Sequence, residues 1–187
     1  MLLSKIIKIL DDWCPTSDAE EFDNVGLLVG ELQSKITKAV ITLDITDDVI
    51  DECISTESNL VISFHPLFTT DPKTNEMDQR INRYIIRCLN NNINVYCIHT
   101  NLDNNPLGTS YQLGKILKLK NQEILINNEN NNLKGMGSIG IMDSSMNDYS
   151  FLEFLKDKLN LKYLRHSKLL DKKIKKVALL SGSGGFA

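Results

Sequence analysis

The chain has 187 residues, 42% of them hydrophobic, and a formal net charge of −3, with a pI near 5.6. That length suits one large domain or two small lobes around a real core. The acidic balance excludes a broad basic surface and argues against nucleic-acid binding as the main role.

At the N-terminus, Leu2, Leu3, Ile6, Ile7 and Leu10 recur at helical spacing with Lys5 and Lys8 between them. This predicts an amphipathic helix to about Trp13, stopped before Pro15, rather than a signal peptide. TSDAEEFDNVGLLVGE reads as an irregular segment, with Gly26 and Gly30 allowing tight backbone. Ala39–Ile45 is an apolar, β-branched run and reads as a strand. Thr46 caps a helix over DDVIDECIST, whose opening aspartates favour a helix N-terminus. A strand around Leu60–Phe64, a helix over MDQRINRYIIRCL, a strand at Asn94–Ile98 and a helix at Ser110–Leu119 follow.

The alternation of strand and helix predicts a parallel sheet with right-handed crossovers, its strands apolar on both faces. INNENNNLKG, residues 126–135, reads as a loop or lobe boundary. Beyond it, GMGSIGIM, LKYLRHS and KKVALLS read as strands and NDYSFLEFLKDKLN as a helix. The expected fold is therefore α/β: a first lobe over 1–127 carrying the site motifs, and a partial second lobe over 128–187. The basic run Lys168–Lys176 and the acidic run Asp18–Asp23 read as solvated surface.

Cys14, Cys53, Cys88 and Cys97 are scattered, with no C-x-x-C pair. They read as buried, reduced thiols of a cytoplasmic protein. No stretch approaches the roughly 20 apolar residues that cross a membrane.

Three strand ends carry polar groups: Asp44 in TLDIT, His65 in SFHP, and His99 to Asp103 in HTNLD. In a parallel sheet the ligand crevice lies at the carboxyl ends of the strands. Imidazole and carboxylate groups converging there suit Zn, Mn, Fe or Co. A strand-end histidine also serves as a hydrogen-bonded rim residue, and HTNLD also reads as a turn, so packing, hydrogen bonding and metal binding all stay open here. His166 reads as surface. The terminal GSGG lacks the spacing of either common phosphate-binding glycine motif.

AEEFDNVGLLVG (19–30), AVITLDITDDVIDE (39–52), LVISFHPLF (60–68) and HTNLDNNPLG (99–108) together resemble the NGG-interacting-factor-like family, often labelled type 2 GTP cyclohydrolase I homologues. The resemblance implies two related α/β lobes, a homohexamer, and a dinuclear divalent-metal site. It assigns His65 and Asp103 to one metal and sets His99 close by. It also implies a metal-dependent hydrolase acting on a nucleotide or related small molecule. The family's strand end carries two adjacent histidines, and Phe64 occupies the first of these positions. Further ligands of the family follow the Gly-rich turn, where the sequence stops, so the comparison implies a truncated chain. The rival expectation is a non-catalytic, metal-binding or partner-binding oligomeric scaffold.

Overall fold

A computed structural model describes residues 1–68, 79–128 and 131–184. The chain forms two units, Met1–Leu102 and Asp103–Ala187.

In the first unit, helix α1 (Leu3–Trp13) is followed by a short turn of 3₁₀ helix at Thr16–Asp18 and strand β1 (Gly26–Val29). Strand β2 (Ala39–Thr42), helix α2 (Asp47–Thr56), strand β3 (Leu60–Ser63), helix α3 (Gln79–Asn90) and strand β4 (Asn94–Cys97) come next. The sheet order is β1-β4-β3-β2. β2, β3 and β4 run parallel, as their alternation with helices predicts. β1 is antiparallel to β4. It occupies part of the segment read as irregular. Gly26 at φ +92° and Gly30 at φ +112° bracket it, which hides a four-residue strand between turn signals.

Period-two alternation distributes the strands between two cores. Val61 and Val95 face Ile50, Cys53, Tyr84 and Cys88 from α2 and α3. Leu60 and Tyr96 face Leu3, with Ile6, Ile7 and Leu10 of α1 packed against them. Covered faces on both sides explain the near-continuous apolar runs of these strands. The Oγ1 of Thr46 accepts from the amide of Val49 at 3.3 Å and starts α2. Glu57, at φ 56°, ends it in the left-handed region. The guanidinium groups of Arg83 and Arg87 on α3 donate to Asp47 on α2 at 2.7 and 2.6 Å. Met77, expected in α3, lies outside the described residues.

The short helix α4 (Thr100–Asp103) lies in the first unit up to Leu102, and the second unit begins at its last residue, Asp103. Helix α5 (Thr109–Ile116), strand β5 (Lys120–Asn128), strand β6 (Asn131–Asn147), helix α6 (Asp148–Lys158) and strand β7 (Lys173–Leu179) follow. The sheet is β5-β6-β7, antiparallel throughout. Its core joins Leu117, Leu119, Met142 and Val177 to Phe151 and Phe154 of α6.

Three expectations change here. The Asn-rich stretch expected as a loop contributes to both β5 and β6, with Ile126 opposite Met136 and Asn127 opposite Gly135. Cross-strand pairing overrides the weak strand preference of asparagine. The two units divide between Leu102 and Asp103, whereas residues 127–128 lie inside β5. LKYLRHS forms no strand. β7 takes the place beside β6 instead. The carboxylate of Asp148 accepts from the amides of Leu170 and Asp171, both at 2.8 Å, and ties these two residues to the start of α6. Among the described residues no helix is long and apolar enough to cross a membrane.

Candidate metal centre at the strand ends

The last paired residues of β2, β3 and β4 are Thr42, Ser63 and Cys97. Asp44, His65 and His99 each stand two residues beyond them. Parallel register therefore delivers one carboxylate and two imidazoles to the same rim. The backbone holds His65 there. Its amide donates to Leu43 O at 2.9 Å, and the Phe64 amide donates to Thr42 O at 3.0 Å. Pro66 then ends the pairing, as its missing N–H requires.

Each histidine is oriented by a carboxylate. His65 Nδ1 meets Asp44 Oδ1 at 2.7 Å. His99 Nδ1 meets the Asp23 oxygens at 2.9 and 3.0 Å. Phe64 stands beside both rings, its centroid 5.2 Å from each. The imidazole centroids are 5.5 Å apart and nearly perpendicular. A phenyl ring has no lone pair to offer at this position.

Environments differ at the two pairs. The His65 and Asp44 side chains are 45% and 59% exposed. The Asp23 side chain is 2% exposed. Burial alone would raise the Asp23 pKa. Hydrogen bonds from His99, the Thr100 hydroxyl and amide, and the Asn24 amide outweigh it and hold the carboxyl at about 2. The Asp23 motif also reaches the loop after β3, because Asn24 Nδ2 donates to Phe68 O at 3.0 Å. Asn101 fixes the exit of β4: its side-chain oxygen accepts from the His99 amide and its nitrogen donates to Cys14 O, both at 2.9 Å.

Asp103 belongs to the second unit. Its Oδ1 accepts from the Thr109 hydroxyl and, at 2.8 Å, from the Ser181 hydroxyl. Ser181 is further tied to Ser110, whose Oγ accepts the Ser181 amide at 3.0 Å. His166 is exposed and its Nδ1 meets the neighbouring Ser167 carbonyl at 2.7 Å, in keeping with a surface residue. Among the described residues, no group of three or more His, Cys, Asp or Glu could hold a metal ion. The strand-end donor set of His65 with its orienting Asp44 nevertheless suits a borderline divalent cation.

Sequence reasoning singled out Asp44, His65, His99 and Asp103, but read Asp23 as the end of a solvated acidic run, where the structure buries it against His99 and Thr100, and read Asn101 only as part of a turn. Their partners lie 76 and 87 residues away. The signal that points to the rim is the common two-residue offset beyond each strand.

A family model described as Duf34/NIF3 (NGG1p interacting factor 3) matches residues 1–187. The chain belongs to the Duf34/NIF3 family. One relative of this Duf34/NIF3 member, a GTP cyclohydrolase 1 type 2 homolog from Clostridium perfringens, is 35% identical over 184 residues, covering 98% of this chain and 70% of that protein. A crystal structure of a Staphylococcus aureus hypothetical protein superposes with a TM-score of 0.89 at 28% identity, covering 100% of this chain and 73% of that one. Reduced HcgD from Methanocaldococcus jannaschii gives a TM-score of 0.76 at 31% identity, covering 98% and 71%.

Proposed function

We propose that this Duf34/NIF3 member binds a divalent cation, Zn, Mn, Fe or Co, with His65 and Asp103 as ligands, and acts as a metal-dependent hydrolase on a nucleotide or related small molecule. The observation that carries the reading is the Asp44–His65 pair at 2.7 Å. Metal-ligating histidines almost always give their second ring nitrogen to a carboxylate, which fixes the tautomer and raises the basicity of the other nitrogen. Here Nδ1 is committed to Asp44, which directs Nε2 toward a ligand. A bound cation would supply an acidified water and an electrophile for a substrate oxygen. The chain's own part is to hold His65 by two backbone bonds, to orient it through Asp44, and to hold His99 against Asp23. The name of the Clostridium perfringens relative supports a nucleotide as substrate class.

A second reading, a non-catalytic metal-binding or partner-binding oligomeric scaffold, is favoured by Phe64. Its ring occupies a place beside both imidazoles where a donor would complete a second site. Both readings take the protein as a cytoplasmic homohexamer. Four free, buried thiols support a reducing compartment.

Elemental analysis of the purified protein tests the assignment. His65→Ala and Asp103→Ala are each expected to lower bound metal while the chain stays folded. Unchanged metal in both variants would overturn the ligand assignment. Metal-dependent turnover across a nucleotide panel supports the hydrolase, and metal without turnover supports the scaffold.

A further inference from the structure

Strand β7 ends the β5-β6-β7 sheet, and among the described residues no strand pairs with its other edge. A groove of about 560 Å³ runs beside β7 and α6. Lys173, Ile174, Lys175 and Lys176 all line it. Successive strand residues point to opposite faces, so a groove that meets four in a row takes in the margin of the strand and not one face alone. Phe151 and Leu152 of α6 and the 67% exposed Leu170 give it apolar surface.

Positive charge gathers at this groove. Residues 162–176 hold seven basic side chains and one acidic one, in a chain whose net charge is −3. Lys175 donates to Asp143 O at 2.6 Å. Lys168, Lys172, Lys173 and Lys176 are exposed and line the groove, and among the described residues they pair with no carboxylate. Asp148, the one carboxylate in the lining, is taken up by the amides of Leu170 and Asp171. An edge strand offers unpaired N–H and C=O groups to an added strand. Lysines along it repel a second copy of β7, since like charges directly opposite destabilise a pair, and they favour a strand that carries carboxylates.

We propose that this groove docks an extended acidic peptide of a partner protein. The peptide adds a strand to β7, sets carboxylates against Lys168, Lys172, Lys173 and Lys176, and lays apolar side chains on Phe151 and Leu152. Neither reading above gives this sheet a role, and the proposal does not depend on the metal site.

Fluorescence anisotropy with the full chain tests the dock, using labelled octapeptides of alternating Glu-Val, Glu-Pro and Lys-Val, with dodecanoate as a small amphiphile. Glu-Val should bind at least about tenfold more tightly than Glu-Pro, which keeps the charge but loses half its amide donors and cannot join a sheet. Lys-Val should not bind. Raising salt from about 50 mM to about 500 mM should weaken Glu-Val binding. The double variant Lys173→Glu, Lys176→Glu should weaken it by about tenfold or more, with melting temperature and metal content near those of the native protein. Amide hydrogen exchange along β7 should slow when Glu-Val is bound. Absence of Glu-Val binding, equal binding of Glu-Val and Glu-Pro, an unaffected double variant, or unchanged exchange along β7 would overturn the proposal. Dodecanoate binding without Glu-Val binding would give the groove to a small amphiphile, and self-association lost in the double variant would give the edge to a second copy; either would overturn it as well.

Discussion

Asp44 and His65 leave adjacent parallel strands at the same offset, and their side chains meet at 2.7 Å. The contact is set by strand register, so it needs no loop to bring it about. Removing it should affect ligand binding far more than folding, because both side chains are solvent-exposed and surface ion pairs stabilise by only about 0–1 kcal/mol.

Asp44→Asn is therefore expected to weaken metal binding by about 10- to 100-fold, the usual cost of losing a carboxylate behind a metal-bound histidine. The denaturant midpoint should stay near that of the native protein. Competition with a chelator measures the first quantity and urea unfolding the second. Unchanged affinity would show that Asp44 does not orient a ligand.

Asp23 predicts the acid limb of stability. Its carboxyl is lowered from 3.8 to about 2 in the folded state. A depressed folded pKa stabilises above the unfolded pKa, and that contribution is lost as pH falls through the folded one. Between pH 5 and pH 2 the native protein should lose on the order of 2 kcal/mol from this group. Asp23→Asn should start less stable at pH 5 and lose less over the same window. Equal slopes in urea unfolding across that window would count against the assignment.

Buried thiols predict the alkaline limb. Burial pushes Cys88 up to about 11, and burial with the nearby Asp23 charge pushes Cys97 up to about 12. A raised folded pKa gives stability that is complete below the unfolded value near 9 and lost as pH rises through the folded value. Unfolding midpoints should thus fall between pH 9 and pH 11.5. At pH 8 the native protein should react slowly with a disulfide reagent such as DTNB, and all four cysteines should react once it is denatured. Fast stoichiometric reaction of the native chain would contradict their burial.

Gly30 is required by its backbone and by its neighbour. It sits at φ +112°, and an added Cβ would fall 2.9 Å from the Asn94 Cβ and closer still to its amide. The Asn94 side chain accepts from the Glu31 amide and donates to Asn59 O, so it has little freedom to withdraw. Gly30→Ala should cost about 2–4 kcal/mol, read from urea unfolding. Adding Asn94→Ala should not restore stability, because the backbone strain remains.

How far the sequence reveals this molecule depends on how local each determinant is. The limits of α2 follow from Thr46 and its aspartates, and the structure starts and ends that helix where the motif does. β3 and β4 show their burial in unbroken apolar runs. β1 and β5 do not, because one lies between two positive-φ glycines and the other draws its strand character from pairing with β6. The rim histidines are visible as strand ends. Asp23 and Asn101 are not, since a hydrogen bond across 76 or 87 residues leaves no trace in spacing. Phe64 reads as ordinary core by composition, and only comparison with related strand ends draws attention to it.

The 76-residue span between Asp23 and His99 also bears on when the rim comes into being. During synthesis the N-terminal segment waits with its carboxylate unmatched until β4 has emerged and closed onto the sheet. Long-range closure of this kind is slow relative to helix formation. A nascent or locally unfolded chain thus holds its histidines apart, and the rim exists only in molecules that have finished folding their first hundred residues.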